Sequence, residues 1–259
     1  AGWVRAGIGG YTAGGTDDVT KCLDGLPDFK TEVTTNVGLP PILKNKWAKE
    51  TTGYSDWINP SAAAHRKDLS LAPRDYQITW LADWVREFGI DGFRVDTAKH
   101  VDKSVWKLLK TKCTTALADW KAANPTKKVD DLSFWMTGEH WNHDASRDAY
   151  YDNGFDSMIN FTFVSLAKSA VSSYANIDST YASYAASTAS PLSYISSHDT
   201  GLFSQNYSDA ASQKKAGTIL LLTPKPVQIF YGDENGRAFG ATGSDPYQGT
   251  RSDYVWGDK

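Results

Sequence analysis

The chain has 259 residues, a formal net charge of -3 and 22% charged side chains, enough to bury a sizeable core as one large α/β unit or two smaller ones. That charge, with no basic group denser than Lys127-Lys128, excludes nucleic acid as a partner class, and no apolar run approaches the roughly 20 residues of a membrane span. Ten Trp and thirteen Tyr stand out; most fit packing, and a few fit a cleft whose flat rings stack on sugars.

The chain opens AGWVRAG without an initiator Met and shows no signal peptide, so its start says little about compartment. Residues 1–74 are rich in Gly, Thr and Pro and read as an irregular excursion with a few short elements. GIGGYTAGG lacks the glycine spacing of a dinucleotide loop and reads as turns. Residues 75–259 read as one alternating α/β segment. Ile78, Leu81, Val85 and Phe88 recur at helical spacing, and Gly89 is placed to end that helix. IDGFRVD reads as a strand, with Phe93 and Val95 on one face and Arg94 and Asp96 on the other, pointing inward. A helix over 104–123 follows, whose apolar face holds Trp106, Leu109, Cys113 and Leu117. Cys22 and Cys113 permit one disulfide, and a buried free thiol at Cys113 is the expectation.

LSFWMTGEH reads as the next strand and GFDSMINFTF as another, followed by a helix around 164–174. PLSYISSHD then reads as a strand, 210–222 as a helix and PVQIFYGDE as a last strand. Strands alternating with helices predict βαβ units and a parallel sheet. VD, GEHW, SSHD and FYGDE each turn polar at the carboxyl end of a predicted strand. In a (β/α)8 barrel that rim holds the active site. Asp96, Glu139 and Asp199 fall on it, with Arg94 beside Asp96 and His198 beside Asp199. Any one acid alone reads as a surface acid or a helix N-cap. Three together raise one another's pKa unless a cation intervenes, a costly arrangement suited to acid/base chemistry.

GFRVDTAKH resembles the second conserved region of the α-amylase family of glycoside hydrolases, TGEHW the third and SSHD the fourth. LPDFKTE is similar to that family's short motif after the third barrel strand, FYGDE to the end of its eighth strand, and QGTRSDYVW to the segment beyond. The motifs stand in family order across nearly the whole chain. SSHDT and VQIFYGDE resemble bacterial periplasmic members most, which implies a periplasmic or extracellular location.

The resemblance implies a (β/α)8 TIM barrel of which this chain supplies strands four to eight, with the N-terminal excursion as part of the family's B domain. It implies a retaining hydrolase of α-1,4-glucosidic bonds in starch-like glucans and maltooligosaccharides, monomeric when full length. Asp96 would be the nucleophile, Glu139 the general acid and then base, and Asp199 the stabiliser of the oxocarbenium-like transition state. Arg94, Lys99, His100, Trp141 and His198 would bind substrate. Glu139 would need a raised pKa, from burial and nearby negative charge. Asp28 and the main-chain carbonyl of His100 would be calcium ligands, two of the several oxygens that calcium requires.

The family's first conserved region has no counterpart here, strands one to three are not found, and Ser197 and Gly201 depart from the fourth region. The expectation is a segment of a longer enzyme, unstable and inactive alone because its sheet edges lack partners. A glucanotransferase, a cyclodextrin hydrolase and an α-glucosidase share these motifs. Outside the family, Glu139, His140, His143 and Asp144 in EHWNHD suggest a metal-dependent barrel hydrolase, with His198 and Asp199 as further ligands. A non-catalytic sugar-binding relative is the other rival, and such relatives commonly lose one of the three acids.

Overall fold

The structure is a computed structural model, which describes residues 2–23, 26–50, 64–174 and 177–257. Contacts divide the chain into two compact units, Ala1–Gly138 with Asp152–Asp156, and Glu139–Tyr151 with Ser157–Lys259. The excursion over 1–74 lies within the first unit, together with the helices that follow it.

In the first unit, β1 (Val4–Arg5) pairs antiparallel with β2 (Asp28–Phe29), setting Arg5 opposite Asp28. Helix α1 (Pro41–Lys49) and helix α2 (Pro73–Phe88) each begin on a proline, whose missing N–H costs nothing in a first turn. An aromatic cluster fastens the excursion to α2: Trp3 stacks on Trp80 at 6.0 Å, and Tyr76 and Trp47 meet Trp80 at 5.3 and 5.8 Å. Tyr76, fully buried, also receives the Leu69 amide at 2.7 Å and faces Asp68 at 3.0 Å.

Helix α2 ends where expected, at Gly89 with φ 64. A Cβ there would lie 2.4 Å from the Trp120 ring, so both conformation and space require glycine. Ile78, Ala82 and Val85 form the buried stripe of α2, whereas Leu81 and Phe88, expected in it, share an exposed flank with Trp84. Helix α3 (Lys103–Ala123) packs along α2 and is capped by Asp102, whose carboxylate accepts the Ser104 amide at 2.9 Å. It buries Trp106, Leu109, Cys113 and Leu117, as its sequence period predicts. Cys22 and Cys113 are both free thiols, and burial pushes that of Cys113 up to about 12. β3 (Gly92–Val95) and β4 (Trp135–Gly138) form a parallel pair in which Val95 faces Gly138.

In the second unit, β5 (Ser157–Asn160) is buried along its length and runs parallel to β6 (Pro191–Ser193). The strand read over GFDSMINFTF stops at Asn160, whose side-chain oxygen accepts the Thr162 hydroxyl at 2.8 Å and turns the chain into α4 (Phe163–Ser173). Helix α5 (Ile177–Ala186) has no counterpart in the sequence reading; IDSTYASYAA has no clear apolar period, and Tyr184 is its buried anchor. Helix α6 (Ala210–Leu221) follows its Asp209 cap. Phe163, Ala167, Ala170, Ile195, Phe203, Ile219 and Leu220 form the core among these elements.

PVQIFYGDE differs from its reading as a last strand. It makes one parallel bridge, Val227 to Ser193, with Gln228 N–H donating to the Ser193 carbonyl at 2.8 Å. Beyond it the chain folds back, with Asp233 N–H on the Phe230 carbonyl at 3.0 Å and Gly232 at φ 87, which ends any ladder. PLSYISSHD is likewise extended only over 191–193.

Candidate active site

Asp96 follows β3 directly, and its carboxylate lies 3.3 Å from the Arg94 guanidinium, the same-face pairing that strand alternation requires. The pair does not point into a core. The Asp96 side chain is 71% exposed and that of Arg94 35%, because the strand ends at Val95 and the chain turns at Thr97. Thr97 holds a left-handed conformation, φ 47, which costs a β-branched residue strain and recurs at functional sites. Lys99 and His100 follow on a single 3-10 turn, and Asp18 tethers both: its carboxylate is 4.0 Å from Lys99 and its carbonyl 2.8 Å from His100 Nδ1.

Asp28 is engaged by Arg5, which is 6% exposed and lies 2.5 Å from its carboxylate while also pairing with Glu32. Burial pushes the Asp28 carboxyl up, against the pull of Arg5. One guanidinium is thus shared by two carboxylates, a cation supplied by the chain itself. Among the described residues no group of three or more His, Cys, Asp or Glu gathers as a metal cage. Asp28 and the His100 carbonyl therefore do not by themselves fit calcium.

The second unit holds the other two acids. Glu139 comes directly after β4 and is 5% exposed. Trp141, two residues on, is 43% exposed and leans on Phe161 at 5.1 Å, which in turn meets the Tyr194 ring edge-on at 5.9 Å. Asn142 takes φ 66, so here too the backbone turns through the left-handed region. Asp199 pairs with His198 Nε2 at 2.9 Å and lies 3.8 Å from Arg251, which also approaches Asp245 at 3.4 Å. The turn carrying them closes on Ser197, whose hydroxyl accepts the Asp199 and Thr200 amides at 3.2 and 3.1 Å. Tyr194 is 1% exposed; burial pushes its hydroxyl up, and the negative charges of Asp199 and Glu139 add to that.

EHWNHD does not offer His143 as a metal ligand. Its Nδ1 meets the Asp144 carbonyl at 2.7 Å and its Nε2 meets Asp148 at 3.1 Å, so both ring nitrogens are spent on the loop's own fold.

The structure thus joins Arg94 to Asp96, and His198 to Asp199. Arg251 and Tyr194 were not singled out by the sequence. Arg251 stands inside QGTRSDYVW, where an arginine next to a family motif was the available signal; Tyr194 reads as an ordinary core aromatic.

The family profile "Alpha amylase, catalytic domain" matches residues 67–246. The periplasmic alpha-amylase of Escherichia coli (strain K12) is 49% identical over 261 residues, covering 99% of this chain and 35% of that protein. An alpha-amylase of Streptomyces lividans is 32% identical over 222 residues, 77% of this chain and 22% of its own length. The chain therefore spans about a third or less of these curated relatives. Among solved structures, an alpha-amylase from Geobacillus thermoleovorans, complexed with acarbose, superposes with a TM-score of 0.59 at 20% identity, covering 90% of this chain and 43% of that one.

Proposed function

Since the chain belongs to the α-amylase catalytic-domain family, we propose that it carries the reacting groups of a retaining glycoside hydrolase acting on α-1,4-glucosidic bonds. Starch-like glucans and maltooligosaccharides are the substrates of this reading. The observation that carries it is the chemistry at the strand ends: Asp96 beside Arg94 directly after β3, and Glu139, buried, directly after β4. In the (β/α)8 barrel that the family implies, this chain would supply strands four to eight.

The roles follow from the environments. Asp96, solvent-open and beside a guanidinium, suits a carboxylate that attacks the anomeric carbon as the glycosidic C–O bond breaks. Glu139, removed from water, suits the acid that gives its proton to the leaving oxygen. In the second half, Glu139 takes a proton from water as the oxygen attacks the anomeric carbon and Asp96 departs. A retaining pair requires carboxyl groups roughly 5 to 5.5 Å apart. Asp199, oriented by His198 and Arg251, would stabilise the positive charge that grows on the sugar ring. Trp141 offers an exposed ring to a sugar face, while Lys99 and His100 would contact the leaving-group side.

A periplasmic or extracellular site of action accords with the relative from E. coli. No step passes through calcium. Glu139→Gln tests the assignment. It should keep maltooligosaccharide binding and lower kcat about 10²- to 10⁴-fold, the usual share of general acid–base catalysis. Undiminished turnover would remove Glu139 from its role.

A further inference from the structure

The turn that carries His198 and Asp199 is anchored from outside by one short segment, Phe230–Arg237. Ser196, fully buried and immediately before that turn, gives its hydroxyl proton to Asp233 and accepts the Phe203 amide at 2.9 Å on the same oxygen. An ionised carboxylate can only accept, so with Asp233 charged the Ser196 hydroxyl is the donor of this bond. The second Asp233 oxygen faces the Phe230 amide at 3.3 Å, so both oxygens are met by donors. Gln213 of α6 fixes the backbone there, donating to the Asp233 carbonyl at 2.8 Å.

A second anchor leaves the same segment. Arg237 is 2% exposed, lies over the Tyr231 ring at 4.0 Å, and donates to the carbonyls of Tyr231, Thr250 and Ser252 at 3.1, 2.9 and 3.0 Å. A Cβ on Gly232 would fall 2.5 Å from Arg237 Nε, so the loop is shaped around the guanidinium. The Thr250 hydroxyl, held by this clamp, shares its one proton between the carbonyls of His198 at 3.0 Å and Tyr247 at 2.8 Å. The turn is therefore gripped at Ser196 by Asp233 and at His198 by way of Arg237.

We infer that Asp233 is a positioning residue for Asp199, acting through the Ser196 hydroxyl, and that its protonation loosens this grip. Burial pushes the Asp233 carboxyl up to about 6; Glu234 adds to the rise, while the Ser196 hydroxyl, the Phe230 amide and Arg237 oppose it. Ionised, the carboxylate holds Ser196 by a charge-assisted hydrogen bond, roughly twice as strong as a neutral one. Protonated, the carboxyl meets Ser196 only through a neutral hydrogen bond. None of the catalytic roles proposed above uses Asp233.

The effect on turnover rests on the hydrolase reading, whereas the coupling itself does not, and the two are read separately. In the full-length protein labelled with 15N-phenylalanine, the Phe203 amide should shift with a midpoint near 6, together with the Asp233 carboxyl carbon. Asp233→Asn should abolish that inflection. Ser196→Ala should leave Asp233 titrating while the Phe203 amide no longer follows. An inflection that persists in Asp233→Asn, or is absent from the wild type, overturns the coupling. In the activity arm, both variants should lower kcat by about tenfold to a hundredfold at pH 7, with KM changed much less. A change in KM alone would show that Asp233 does not position a transition-state group.

Discussion

Asp28, Arg5 and Glu32 show how an isolated residue can mislead. In sequence, Asp28 stands in LPDFKTE and invites a metal; in space, Arg5 from 23 residues earlier occupies its carboxylate. Removing that guanidinium leaves two carboxylates facing each other with one side chain nearly buried. Arg5→Ala should therefore destabilise the first unit by about 3 kcal/mol, the low end for breaking a buried pair. Urea unfolding measures it, and a change under half that value would place the pair among surface contacts. The three candidate acids drew notice because each sits in a short motif, directly after a strand for Asp96 and Glu139 and in the turn beyond β6 for Asp199. Tyr194, Arg237 and Asp233 did not, because their importance lies in contacts that no local pattern encodes: Asp233 meets Ser196 across 37 residues, and Arg237 reaches Thr250 and Ser252 across 13 and 15. Asp233 also carries a sign that can be checked. Its folded pKa lies above the ordinary 3.8, so the native state holds the proton that the unfolded state has released between that value and about 6. Stability should thus fall as pH rises through that window and level off above it. Asp233→Asn should flatten this slope, measurable as Tm against pH.

At the level of elements, the helices were more legible than the strands. Helices α2 and α3 announced themselves by apolar spacing, and α2 by Gly89 at its end as well. Gly89→Ala should cost about 1 to 2 kcal/mol for the left-handed backbone alone, and more if Trp120 must move. A variant as stable as the wild type by thermal melting would mean that the Trp120 contact and the turn both relax freely. Strands were found in the right places but read too long, since apolar residues continue past the last ladder bond. Val227, for example, belongs to an extended run, yet a single bridge to Ser193 is all it makes. Helix α5 escaped notice for the opposite reason: Ser, Thr and Tyr dominate it, and one buried tyrosine gives no period. The turns after β3 and β4 bend through left-handed residues, Thr97 and Asn142, which neither composition nor spacing marks.

For the whole molecule, family membership and parallel α/β construction agree with what the motif order implies. Asp96 belongs to the first unit, Glu139 and Asp199 to the second. The central claim is that Asp96 forms a covalent glycosyl intermediate, and the stereochemistry of the first product reports on it directly. The measurement follows maltoheptaose cleavage by proton NMR, using a protein that carries this chain with barrel strands one to three in place. Two successive inversions at the anomeric carbon predict the α-anomer as the newly formed end, before mutarotation sets in. Initial release of the β-anomer would mean direct attack by water and would contradict Asp96 as the nucleophile.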